Sequence, residues 1–263
     1  MRKIVDIAKL FDLSGKSALI TGATGALGSA AARALSAAGA HVTLAGGNAG
    51  KLAALAETMP SGRVTTIVGR PIDEATVDRI VAAASADARG LDIVVPSSGT
   101  AAVAPATDMS LKTWDKVMDA NVRQVWLLCR AAGRVMIEQG RGGAIVPISS
   151  VRARFATAAG TSAYGTSKSA IDMLTKSFAV EWGAHNILVN AIARTVFRSE
   201  LTGWLFEDND RANAARARVL ARIPLGRLAE PDDFAGVLVF LTSEASSIVT
   251  GEIINVDGGF SAN

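Results

Sequence analysis

Thr21-Gly22-Ala23-Thr24-Gly25-Ala26-Leu27-Gly28 stands between an apolar run at residues 17–20 and a segment of helical period at 29–38. Strand, glycine-rich turn and helix follow one another without a gap. Glycines let the backbone turn tightly and approach a pyrophosphate, and the free N–H groups at a helix start favour its negative charge. Such turns are common for structural reasons alone; the position between first strand and first helix is what gives this one its weight.

Outward from that turn the chain alternates short apolar runs with longer amphipathic segments, as βαβ units require. Strands are expected at 17–20, 41–44, 64–68, 93–95, 144–148, 187–192 and 253–256, and helices at 29–38, 51–57, 111–139 and 163–183. The fold class is α/β: a single Rossmann-type domain over 14–263 with a doubly wound parallel sheet of about seven strands, after an N-terminal extension, 1–13. Pro147 falls inside the fifth strand, where its missing N–H should break a ladder bond. Residues 194–225 have the least regular pattern and read either as a mobile cover over a pocket or as a packed pair of surface helices.

The 263 residues are 49% hydrophobic and 19% charged, with a net charge of +3 and no basic run, which disfavours nucleic-acid binding. No apolar stretch is long enough for a bilayer, and residues 1–11 lack signal-peptide features, so a cytoplasmic location is expected. Cys129 sits in an apolar run and reads as a buried small side chain. His41 and His185 belong to no cluster with metal-ligand spacing, so no metal is expected.

Tyr164 and Lys168 begin a helix one turn apart on the same face. A free tyrosine has a pKa of about 10, too high for proton transfer near neutrality. A nearby ammonium stabilises the phenolate and makes it a usable acid and base. Tyr164 is the only tyrosine, and Ser149-Ser150 lies just upstream at a strand end, where ligands of open α/β sheets bind.

These motifs, with Asn121, Pro224-Leu225-Gly226-Arg227, Glu230-Pro231-Asp232-Asp233, Thr250-Gly251 and Val256-Asp257-Gly258-Gly259, occur in the order of the short-chain dehydrogenase/reductase family, which the chain resembles from Leu13 to Phe260. The opening Leu10-Phe11-Asp12-Leu13-Ser14-Gly15-Lys16 resembles gluconate 5-dehydrogenase-like members. The resemblance implies hydride transfer between NAD or NADP and a small alcohol or ketone, with Tyr164 as general acid/base. Lys168 would lower its pKa and hold the nicotinamide ribose, Ser150 would orient the carbonyl, and Asn121 would anchor a water chain. Cofactor contacts are expected from Gly22, Thr24, Gly25, Ala26, Leu27, Gly28, Gly47, Arg70, Pro71, Ser97, Ser98, Gly99, Tyr164, Lys168, Arg194, Thr195 and Val196. The resemblance also implies a homotetramer built on a homodimer, with the 111–139 and 163–183 helices in contact. A turnover-deficient dinucleotide-binding sensor or scaffold is the competing reading.

Departures from the family pattern cluster on the cofactor side. Strand two ends Gly46-Gly47-Asn48, with neither the acid that selects NAD nor an arginine for NADP; Arg70 replaces an aspartate, Pro96-Ser97-Ser98-Gly99 replaces Asn-Asn-Ala-Gly, and Arg194-Thr195 replaces Pro-Gly. The cofactor choice stays open with a slight lean toward NAD. Arg70 either supplies charge to the adenosine end or is a surface residue. Arg152 and Arg154 follow Ser150, while Arg194 and Arg198 follow strand six. Either one or two of them bind a substrate carboxylate or phosphate, or they are solvated loop charges or pair with Glu181, Glu200 or Asp208. Arg152, Phe197 and Trp204 are the expected substrate contacts.

Overall fold

The computed structural model describes residues 6–86, 89–199 and 202–263. In chain order its elements are α1 (Ile7–Leu10), β1 (Ser17–Thr21), α2 (Ala26–Ala37), β2 (His41–Gly46), α3 (Ala49–Glu57), β3 (Val64–Val68), α4 (Glu74–Ala84), β4 (Ile93–Pro96), α5 (Leu111–Met118), α6 (Gln124–Gln139), β5 (Gly143–Ile145), β6 (Ile148–Ser150), α7 (Ser162–Trp182), β7 (Ile187–Val189), β8 (Ala191–Arg194), α8 (Asp210–Leu220), α9 (Ala235–Thr242) and β9 (Ile253–Val256).

Strands run parallel in the order β3-β2-β1-β4-β5-β7, continued by β6-β8-β9. The two sets are one seven-membered arrangement, because β5 leads into β6 and β7 into β8 across short interruptions. Pro147 is the first interruption. It has no N–H to give, yet its carbonyl still accepts from Ile192 N at 3.2 Å, so the neighbouring strand stays attached. Asn190 bridges the second, donating from its backbone to Ile145 O at 3.1 Å.

Alternation along the strands divides the core into two layers. On β1, Ala18 and Ile20 face one side with Leu35, Leu44, Leu52, Leu238 and Leu241, under α2, α3 and α9. Leu19 faces the other with Ile80, Val94, Leu128, Met136, Ile145 and Ile171, under α4, α6 and α7. Cys129 lies in this second layer, and burial pushes its thiol up to about 12, as an inert core residue. Strand order reverses between β1 and β4, opening a crevice at their carboxyl ends.

Helices α1, α4 and α9 are absent from the sequence-based expectation, and α8 falls in 194–225, where surface helices are one of the two readings. For α4 the signal exists: Asp73 caps it by accepting from Thr76 N at 2.8 Å, and Val77, Ile80, Val81 and Ala84 form its buried stripe. Within 194–225 lie α8 and a 3₁₀ turn, Gly203–Phe206. The single helix expected over 111–139 is broken by a π-helical turn, Asp119–Arg123.

Leu128 is fully buried in the second layer. Leu128→Ala is expected to cost about 2–5 kcal/mol, seen as a lower urea midpoint at unchanged slope. A loss below about 1 kcal/mol would mean this layer is loosely packed.

Candidate active site

The π turn is what carries Asn121 inward. It is fully buried, donates from Nδ2 to Thr100 O (2.8 Å) and Ser167 Oγ (2.9 Å), and accepts at Oδ1 from Thr100 N (2.7 Å). Ser167 in turn donates to the Tyr164 carbonyl at 2.7 Å. Gly99 passes beside this group: a Cβ there would lie 3.1 Å from Asn121 Oδ1 and 4.0 Å from Lys168 Nζ. One inserted residue in a helix thus ties the loop after β4 to the start of α7.

Tyr164 and Lys168 share a face of α7, next to the end of β6. Lys168 is buried, its Nζ donates to Ile148 O at 2.7 Å, and it stands 5.8 Å from the Tyr164 ring centroid. β6 and β8 pair with Ser150 opposite Arg194. That register brings in a third charged group: Arg194 Nη2 donates to the Tyr164 hydroxyl at 3.4 Å while its Nη1 holds Thr195 O at 3.2 Å.

Burial works against ionising Tyr164, but Arg194, Lys168, the Ser150 hydroxyl and Arg152 outweigh it, and the phenol is more acidic than usual. Burial lowers the Lys168 pKa, and Arg194 adds to this; Tyr164 and Asp172 oppose it. Asp172 is raised by burial against the pull of Ser149, Arg154, Lys176 and Lys168. The Ser149 hydroxyl donates to Asp172, and Arg154 lies 3.6 Å away.

At the other end of the crevice, Gly22 takes a left-handed φ of +65°, and a Cβ there would lie 2.8 Å from Ser98 N. A Cβ on Gly28 would strike Gly22 O, so this glycine serves close helix–strand packing. At Gly25 the space is open apart from Gly22 O at 3.3 Å, and Gly25 caps α2 without a side-chain partner. Thr24, Ala26 and Leu27 complete the turn, leaving first-turn N–H groups for an anion. Over Gly47 lies Arg70, whose Nε would be 2.5 Å from a Cβ at that position. Pro71 is buried beside it.

The structure therefore gathers Ser150, Tyr164, Lys168, Asn121, Arg152, Arg194 and Thr195 at one end and the glycine loop, Gly47 and Arg70 at the other. Ser97, Ser98 and Gly99 lie between, and Val196 follows Thr195 on the same loop. Arg194, expected against the cofactor, has its guanidinium at Tyr164. Phe197 is buried beneath Arg194, 4.1 Å from ring centroid to guanidinium carbon. Trp204 is 42% exposed and carries Arg211. Arg154 and Arg198 pair with Asp172 and Glu230, not with Glu181 or Asp208; Glu200 lies outside the described residues. Arg222, Phe155 and Phe260 join the site without any linear motif.

Fold and crevice define an α/β oxidoreductase of the dinucleotide-binding type. A family model described as Enoyl-(Acyl carrier protein) reductase matches residues 22–261. An uncharacterized oxidoreductase of Mycobacterium tuberculosis (strain ATCC 25618 / H37Rv) is 51% identical over 252 residues, covering 96% of this chain and 93% of that one. Gluconate 5-dehydrogenase of Gluconobacter oxydans (strain 621H) is 36% identical over 260 residues, covering 97% and 98%. A solved gluconate 5-dehydrogenase from Burkholderia cenocepacia J2315, in complex with NADP and tartrate, superposes with a TM-score of 0.90 at 30% identity, covering 98% and 100%. The chain belongs to the short-chain dehydrogenase/reductase family and is a dehydrogenase/reductase acting on CH–OH groups. The slight lean toward NAD finds no support, since solved neighbours carry NADP. Among the described residues no helix is long and apolar enough to cross a membrane.

Because Tyr164 is the sole tyrosine, its ionisation can be followed directly by the phenolate ultraviolet band. The band should grow in at a pH below the ordinary value of about 10. Replacing either cation, as in Lys168→Met or Arg194→Gln, removes stabilisation of the anion and should move the midpoint upward. A wild-type midpoint at or above about 10 would contradict the electrostatics described here.

Proposed function

We propose that the chain interconverts a small secondary alcohol and its ketone with NADP as the dinucleotide and Tyr164 as general acid/base. The observation that carries the reading is the Tyr164 hydroxyl, made acidic by Arg194 and Lys168 at the carboxyl edge of the sheet. Open N–H groups in the first turn of α2 fit a pyrophosphate. Arg70, with no carboxylate partner among the described residues, fits a ribose 2′-phosphate above the space that Gly47 leaves. The dinucleotide, when bound, supplies or accepts the hydride.

In reduction Tyr164 gives its proton to the substrate oxygen, and in oxidation its phenolate takes that proton. Ser150 holds the same oxygen by a hydrogen bond. Lys168 keeps a positive charge beside the phenolate, anchored on Ile148 O. Asn121 Oδ1 uses one lone pair on Thr100 N and keeps a second for a water that renews the tyrosine proton. Oxidation should speed up, and reduction slow down, as pH rises through the lowered Tyr164 pKa. Trp126 on α6, with Met173 and Val180 on α7, exposes apolar surface of the kind that subunit contacts bury, which supports an assembly through these helices.

Tyr164→Phe should lower kcat by about 10²–10⁴-fold while NADPH still binds. Retained turnover would overturn the proton-transfer role. Arg70→Ala should weaken NADPH binding by about tenfold or more in a fluorescence titration and leave NADH nearly unchanged. Equal losses for both dinucleotides would remove the 2′-phosphate assignment.

A further inference from the structure

Arg194 and Arg152 act on the reacting hydroxyl, and a third arginine, Arg222, stands beside Arg152. Arg194 Nη2 lies 3.4 Å from Tyr164 Oη, and its Nε is buried with no hydrogen-bond partner. Arg222 lies 4.1 Å and Arg152 5.4 Å from the Phe260 ring centroid, so both share that aromatic wall. Arg152 spends one Nη1 on the carbonyls of Phe155 and Ala156, at 3.3 and 3.5 Å. None of the three has a carboxylate partner among the described residues. Asp172, which faces Lys168, is engaged by Ser149 and Arg154. Burial first, then Arg222, lowers the Arg152 pKa, as crowded like charges do.

This crowding is unfavourable for the protein alone and is relieved by an anion. Its place follows from geometry. The reacting oxygen must sit one hydrogen bond, about 2.8 Å, from Tyr164 Oη. Because Arg194 Nη2 is 3.4 Å from that hydroxyl, a second oxygen bound to Arg194 can lie about 3–4 Å from the first, close to the separation between a ketone oxygen and a carboxylate oxygen on the adjoining carbon. The planar fork of arginine suits a carboxylate at that point.

We propose that the substrate pair is a 2-oxo acid and its 2-hydroxy acid, with the carboxylate held by Arg194 and the Arg152–Arg222 side of the recess. This rests on Tyr164 being the proton donor. In reduction the oxo carbon gains a hydride, the C=O π pair moves to oxygen, and the proton leaving Tyr164 completes the hydroxyl. Reduced dinucleotide is the two-electron donor, and the carboxylate is unchanged. Arg194 thereby becomes a specificity-determining residue for the family reaction.

The test has a binding arm and a turnover arm. Oxamate, a non-reducible 2-oxo acid mimic, is titrated calorimetrically into the full chain, with neutral oxamide as control. Oxamate should bind, oxamide should not, and Arg194→Gln should weaken oxamate by about tenfold or more, with Arg222→Gln as an independent second variant. In turnover, kcat/KM for 2-oxo acids relative to matched neutral ketones should fall by about 30-fold in Arg194→Gln. No oxamate binding at millimolar concentration, or an acid-to-ketone ratio unmoved by Arg194→Gln, overturns the inference. If neutral ketones are then still reduced in a Tyr164-dependent way, the proposed function stands without it. If Tyr164→Phe turns over both substrate classes, the underlying reading fails as well.

Discussion

An ammonium group taken out of water must recover both hydrogen bonds and counter-charge, and Lys168 shows how this chain meets that demand. The side chain is only 5% exposed. A backbone carbonyl, Ile148 O, accepts one of its three possible hydrogen bonds, and Tyr164 and the carboxylate of Asp172 supply negative potential nearby. The stabilisation is mutual: an ammonium disfavoured by burial gains most from a phenolate, and a phenol disfavoured from ionising gains most from an ammonium. Coulomb attraction between them is strengthened by the same low dielectric that makes each one costly alone.

Two local irregularities make this pair available to a ligand. Pro147 interrupts the ladder between β5 and β6, just before the carbonyl that Lys168 uses. The π turn at Asp119–Arg123 puts Asn121 into a fully buried position from which it ties Thr100 to α7. Both are departures from regular geometry inside elements that are otherwise well packed. Without the extra residue of the π turn, Asn121 would fall on another face of the helix, and the loop that carries Gly99 would lose its anchor.

How far the chain could be read beforehand follows from where each signal lies. The glycine loop, the strands and the Tyr164/Lys168 pair are contiguous or one helical turn apart, so periodicity and spacing reveal them. Proline at 147 was visible as a conflict, and the structure resolves it by splitting the strand. Helix α4 carries a cap and a regular apolar stripe, a signal legible in the sequence though the expected elements do not include it. Arg194 is different. Its approach to Tyr164, thirty positions away in sequence, depends on the β6–β8 register that sets Ser150 opposite Arg194. No local pattern encodes that. Arg222 and Phe260 likewise meet only because the chain end folds back over the recess. Arg70 over Gly47 was readable only as a missing side chain at one position and an unexpected cation at another. Trp204, an expected substrate contact, is partly exposed and lies under Arg211.

The electrostatics also bear on whether a dinucleotide-binding scaffold without chemistry would keep such a centre. Burying a cation carries a desolvation cost of several kcal/mol, about as much as its partners return. Lys168 recovers one hydrogen bond, to Ile148 O, and the nearby Asp172 is already engaged by Ser149 and Arg154. Arg194 acts on Lys168, and Arg152 and Arg222 crowd each other; none of the three arginines has a carboxylate partner among the described residues, so the protein alone carries like-charge repulsion. For a scaffold this arrangement is an unrelieved destabilisation. For an enzyme it is a preorganised field, strongest where negative charge develops on the tyrosine and the substrate oxygen, and that is the arrangement transition-state stabilisation calls for. The cofactor side departs from the family pattern at Gly47, Arg70, Ser97, Ser98, Arg194 and Thr195, while the Tyr164 side holds its charges at a standing cost to stability.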